Sequence, residues 1–135
     1  MLDKIDHLGI AVRDLEAAIA RYTALVGSGP NHVEEVASQK VRVAMFAVGE
    51  SRIELLEATA PDSPVAKFVE KRGEGLHHVC YRVPNLREAL SRLAQEGMEV
   101  LPGAGDAGAG GSRVAFLHPK SVHGVLTELV EYPAG

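Results

Sequence analysis

Two histidines and two glutamates stand at matching places in a chain that repeats itself. His7 lies in Ile5-Asp6-His7-Leu8-Gly9-Ile10-Ala11-Val12, and 71 residues later His78 lies in Leu76-His77-His78-Val79-Cys80-Tyr81-Arg82-Val83. The register persists through Asp14 and Asn85, Leu15 and Leu86, Ala18 and Ala89, Arg21 and Arg92, which is the mark of a duplicated unit. Arg42-Val43-Ala44-Met45-Phe46 matches Arg113-Val114-Ala115-Phe116-Leu117 at the same offset. Ile53-Glu54-Leu55-Leu56-Glu57 matches Thr127-Glu128-Leu129-Val130-Glu131 at an offset of 74. Each half therefore supplies one imidazole and one carboxylate from equivalent positions, and a pseudo-twofold relation between the halves would bring all four together. Such a mixed nitrogen and oxygen set suits Co, Mn, Ni, Zn or Fe(II), with coordination positions left for water or substrate. Carboxylates enclosed without a cation would carry a heavy desolvation cost. His7, Glu54, His78 and Glu128 are the expected metal ligands.

The joint occupancy carries this expectation. A single strand histidine is ordinarily packed or hydrogen-bonded, and a single strand glutamate ordinarily faces water. His77 aligns with Asp6, so strand alternation is expected to turn both away from the ligand face. Glu57 and Glu131 lie three residues beyond the ligand glutamates and are expected on the opposite, exposed face. His118 and His123 belong to a turn and are substrate contacts or surface groups, and His32 has no repeat partner. Lys120, Ser121 and Arg113 are candidate contacts for a carboxylate or phosphate. Cys80 matches Gly9 among apolar neighbours and is expected to be buried packing. The stretch Gly103 to Gly111 fits neither a phosphate loop nor a dinucleotide turn, and is expected to be a flexible loop closing over substrate.

The elements that must position these residues form the order βαβββ twice. Lys4 to Val12 is expected to be a strand, and Asp14 caps a helix whose apolar stripe runs Leu15, Ala18, Ile19, Tyr22, Leu25, Val26. Gly27-Ser28-Gly29-Pro30 ends that helix. Strands follow over 32–37, 40–48 and 51–58. Ser63 caps a linker helix starting at Pro64. Strand 75–83, a helix capped by Asn85 and running to Gly97, and strands over 98–101, 113–117 and 124–131 complete the second half. The expected architecture is α+β, a single domain of two tandem βαβββ modules (residues 1–60 and 75–135, with a linker helix at 61–74). Together they would form a curved, partly open barrel-like sheet around the metal site.

Composition narrows the class. A chain of 135 residues, 46% hydrophobic and 24% charged, is of single-domain size. Its net charge of -4 offers no basic field, so neither nucleic acid nor an anionic membrane is an expected partner. No apolar run reaches membrane-spanning length, and Met1-Leu2-Asp3-Lys4 lacks a signal peptide's apolar stretch. One cysteine excludes an internal disulfide framework and fits the cytoplasm.

Over essentially its whole length the chain resembles the vicinal oxygen chelate superfamily, which includes glyoxalase I, extradiol dioxygenases and antibiotic-resistance proteins. Within it the resemblance is to the methylmalonyl-CoA epimerases. The stretches that carry it are Ile5 to Val12, Asp62-Ser63-Pro64-Val65-Ala66-Lys67-Phe68, Gly73-Glu74-Gly75-Leu76-His77-His78-Val79, Phe116-Leu117-His118-Pro119-Lys120-Ser121 and Gly124-Val125-Leu126-Thr127-Glu128-Leu129. The resemblance implies an enzyme that interconverts (2R)- and (2S)-methylmalonyl-CoA with a divalent ion, Co2+ first, then Mn2+, Ni2+ or Zn2+. It implies a homodimer, His7, His78 and Glu128 as ligands, and a fourth ligand, often Gln, at the position of Glu54. Glu128 is the first candidate for the catalytic base. Val43 stands where some epimerases carry a Glu proposed as a base. A glyoxalase-type lyase, another metalloenzyme of the superfamily such as an Fe(II) dioxygenase, and a non-catalytic small-molecule binder are the alternatives.

Overall fold

The computed structural model describes residues 1–134. Its elements are β1 (Lys4–Ala11), α1 (Leu15–Val26), β2 (His32–Val36), β3 (Val41–Val48), β4 (Ser51–Ala58), α2 (Pro64–Arg72), β5 (Gly75–Arg82), α3 (Leu86–Gln95), β6 (Asp106–Ala107), β7 (Arg113–Leu117) and β8 (Thr127–Glu131). The helix starts are where the caps demand. Asp14 accepts from the N–H of Ala17 at 3.2 Å, Asn85 from that of Glu88 at 2.9 Å, and Ser63 from that of Val65 at 3.2 Å. Gly27 takes the left-handed φ of 94° that closes α1.

The chain forms two compact units, residues 7–77 and residues 1–6 with 78–135. In the unit of residues 7–77 the strand order is β2-β3-β4-β1, with β1 and β4 parallel and Gly9 opposite Glu54. Ala44, Phe46 and Leu55 form a core with Val12 and Leu15, against which Ile19 and Tyr22 of α1 pack. In the other unit the order is β5-β8-β7-β6, with Cys80 and Phe116 on either side of Glu128 in register. Val83, Ala115 and Leu129 pack there with Leu86 and Ala89 of α3. Each unit thus covers one sheet face with its helix, and alternation directs every second residue to the other face.

Two expected strands differ. Met98 to Leu101 makes only an isolated bridge, Val100 to Leu117, because Pro102 has no N–H to extend the pairing. The pairing passes into the glycine-rich segment, where β6 joins β7. That segment is anchored: Gly105 N–H donates to Val114 at 2.8 Å, Gly108 N–H to Ser112 at 3.0 Å, and the Ser112 hydroxyl to the Ala109 carbonyl at 2.8 Å. β8 starts at Thr127 because left-handed His123 (φ 55°) and Gly124 (φ 95°) make a turn. No helix among the described residues is long and apolar enough to cross a membrane.

Candidate metal centre

Parity along the strands places the sequence-selected residues. Glu54 of β4 sits opposite Gly9, so His7, two residues earlier on β1, shares its face, the one away from α1. His7 Nε2 lies 3.3 Å from Glu54 Oε1, and the two residues are only 4% and 6% exposed. The second unit repeats the construction. His78 Nε2 of β5 lies 3.1 Å from Glu128 Oε1 of β8, with exposures of 3% and 4%. Phe116, in register with Glu128, stands edge-on to the His78 ring at 5.7 Å and 85°. That contact fixes the imidazole plane from the side.

In each pair an imidazole nitrogen and a carboxylate oxygen, both strong donors to a cation, are held together and out of water. Both carboxylates are buried, so each module places a negative group where solvent cannot stabilise it. The donor chemistry fits a borderline divalent ion of the Co, Mn, Ni and Zn kind.

The remaining candidates have other partners. His77 stands edge-on to Phe68 of α2 at 4.9 Å, and the Arg72 guanidinium lies 5.9 Å from the centre of that same ring. The Lys120 ammonium is 2.9 Å from Glu99, and the Ser121 hydroxyl accepts the Glu99 N–H at 2.9 Å. Lys120 hydrogen-bonds the Glu99 carboxyl and holds it below the ordinary glutamate value. His118 Nδ1 accepts the Lys120 N–H at 3.1 Å, and His32 pairs with Glu34. Arg113 shares the α3 side of its sheet with Ala115 and Leu129. Its guanidinium reaches the Gly105 carbonyl at 3.5 Å. Cys80 is buried and outside any disulfide, as expected.

Glu57 and Glu131 are only partly exposed, contrary to expectation. They do occupy the helix side of their sheets, but that side offers donors. Glu131 accepts the N–H of Leu86, the first residue of α3, at 2.6 Å. Glu57 is 3.2 Å from Arg42, whose other branch reaches Glu16 of α1 at 2.9 Å. The hydrogen bond to Glu16 is the main cause that raises the Arg42 pKa. Asp6 is a second departure: with His7 beside it, both are buried, so alternation breaks there. The Asp6 carboxylate accepts the Tyr132 hydroxyl at 3.1 Å. The one sequence signal was a charged residue inside an otherwise apolar strand, and the repeat did not select it because its counterpart is His77.

The profile of the glyoxalase/bleomycin resistance protein/dioxygenase superfamily matches residues 6–116. The chain belongs to that superfamily. Its relatives within it are specific. An ethylmalonyl-CoA/methylmalonyl-CoA epimerase of Cereibacter sphaeroides is 39% identical over 132 residues, which is 96% of this chain and 98% of that one. The crystal structure of methylmalonyl-CoA epimerase from Mycobacterium tuberculosis is 38% identical, covers 99% of this chain and 90% of that one, and superposes with a TM-score of 0.93. A Streptomyces coelicolor methylmalonyl-CoA epimerase variant in complex with 2-nitronate-propionyl-CoA is 40% identical, covers 99% and 100% of the two chains, and also gives 0.93. The mixed fold of two βαβββ modules expected from the repeat is the fold of this superfamily.

Proposed function

We propose that the protein is a methylmalonyl-CoA epimerase whose His7, Glu54, His78 and Glu128 together hold one divalent ion. The observation that carries the reading is the buried imidazole–carboxylate pair found in each module, on strands that match epimerases along nearly the whole chain. Epimerisation requires that the C2 proton leave and return on the opposite face, through an enolate whose charge gathers on the thioester oxygen. A bound divalent ion supplies positive charge for that oxygen.

The rest falls to the chain's own side chains. Glu128 is the base that takes the proton from C2 on one face, and a second acid must return a proton to the other. His78 steadies that carboxylate from 3.1 Å, with Phe116 steadying His78 in turn. Lys120, 68% exposed at its side chain, exchanges Glu99 for an anionic group of the acyl-CoA, and Ser121 beside it is the second contact. Co2+ is the expected ion, a homodimer the expected assembly, and the cytoplasm, where a Cys80 outside any disulfide persists, the expected location.

The deciding experiment incubates the Co(II)-loaded protein with methylmalonyl-CoA in heavy water and follows deuterium at C2 by mass spectrometry. Exchange in the wild type with none in His78→Ala is expected. A wild type that exchanges nothing would refute the assignment and favour another metalloenzyme of the superfamily.

A further inference from the structure

The Asp6–Tyr132 hydrogen bond joins residues 126 positions apart. We infer that Asp6 and Tyr132 are positioning residues that set the orientation of the His7 imidazole for ligand binding. The inference rests on the metal reading of His7 and adds to it two residues outside the proposed ligand set.

The observations converge on β1. Asp6 precedes His7 directly and is 1% exposed, in a strand whose two preceding residues are exposed. A carboxylate sunk this far must be held by donors, and the Tyr132 hydroxyl donates to its Oδ2 at 3.1 Å. Tyr132 is fixed in turn. The Arg82 guanidinium lies 4.7 Å from the centre of its ring. The Arg82 carbonyl accepts the Asp3 N–H at 2.8 Å, which tethers the chain just before β1.

The backbone immediately before His7 is therefore pinned at two points, by Asp3 to Arg82 and by Asp6 to Tyr132. Tyr132 follows β8, four residues after Glu128. An imidazole that must present Nε2 to a ligand has its χ1 set by the backbone it leaves, and a neighbour locked by a buried charged hydrogen bond fixes that backbone. Groups that hydrogen-bond a ligand directly commonly change metal affinity by about 10- to 100-fold when removed, and this pair acts one residue further back, so the low end of that range applies.

The test compares wild type with Tyr132→Phe, which removes only the hydroxyl and keeps the ring under Arg82, and with Asp6→Asn. Two readouts separate positioning from general stability. The first is the 15N imidazole spectrum of metal-free protein, where His7 signals are expected to move in both variants while those of His32 and His123 stay. The second is Co(II) affinity and its visible absorption bands, with Kd expected to rise about tenfold. If Asp6→Asn does not fold, Tyr132→Phe decides alone. Unchanged His7 signals in Tyr132→Phe overturn the inference. A wild type without Co(II) affinity sinks the metal reading instead, and the His7 signals still decide the positioning role.

Discussion

Removing the charge of one proposed ligand should lower stability with metal present and spare it with metal absent. Glu54→Gln keeps the shape and the hydrogen-bonding capacity of a side chain 3.3 Å from His7 Nε2 while deleting its charge. Ligand that binds only the folded state stabilises by about 2.7 kcal/mol at a hundred times Kd. For 135 residues, at about 2.1 cal/mol/K each, the unfolding entropy is about 0.28 kcal/mol/K. Co(II) at that level should therefore raise the wild-type midpoint by about 10 °C. A tenfold weaker site in Glu54→Gln leaves about 1.4 kcal/mol and about 5 °C at the same Co(II) concentration. His78→Ala, which removes a donor outright, should leave a shift of about 1 to 2 °C, corresponding to a hundredfold weaker site. Without metal the sign differs: Glu54→Gln relieves a buried charge, so its midpoint should lie at or above that of wild type. Differential scanning calorimetry with and without Co(II), after treatment with chelator, gives all these numbers. A Co(II) shift in His78→Ala as large as in wild type would show that these residues do not hold the ion.

Glu99 tests the electrostatics of the Lys120 turn. Its carboxyl, ordinarily 4.5, is lowered chiefly by the Lys120 hydrogen bond, so the pair's contribution is present above about that pH and is lost as pH falls through the lowered value. In a carboxyl-carbon NMR titration Lys120→Met should return the Glu99 midpoint to its ordinary value; an unmoved midpoint rules the pair out. Gly108→Ala probes the anchored glycine-rich segment, since a Cβ there would lie 2.6 Å from Val114 Cγ1 and 2.7 Å from Ser112 Oγ. A loss of about 1–3 kcal/mol in urea unfolding is expected, and a neutral result would mean the segment yields freely. Val43→Glu should cost at least about 3 kcal/mol in metal-free protein, with about 2 kcal/mol recovered on adding Glu54→Gln, as a double-mutant cycle would report. Additive effects of the two changes would refute a charge coupling between the positions.

The repeat made both modules and the four candidate ligands legible, because duplicated strands keep their residue types even where neighbours drift. His7 and His78 could be paired on paper, and so could Glu54 and Glu128, with only a change of offset at the longer turn. What stayed hidden depends on distant partners. Nothing local to Asp6 announces Tyr132, and nothing local to Glu131 announces the N–H at the start of α3, so the strand pattern alone reads an acidic residue at a strand end as exposed. The glycine-rich segment misled for a different reason. Its composition signals freedom, whereas its backbone pairs with β7, and glycine there admits the close approach to Val114 and the buried Ser112.

The pairing of β3 with β4 gives physical content to the exchange between Val43 and Glu54. Met45 lies opposite Glu54 and Val43 opposite Leu56, so Val43 and Glu54 occupy one face as diagonal neighbours. Val43 is 1% exposed. Diagonal positions on a sheet are about 7–8 Å apart. Two carboxylates at that separation would repel by about 2 kcal/mol at an effective dielectric constant near 20. A buried face is therefore better served by one carboxylate of the two, and this chain places it at 54 with an apolar residue at 43. With Glu at 54 the charge sits among the proposed ligands, so a bound cation is held more firmly but attracts electrons from a substrate oxygen less strongly. Proton transfer then depends more on Glu128, the one carboxylate proposed as base.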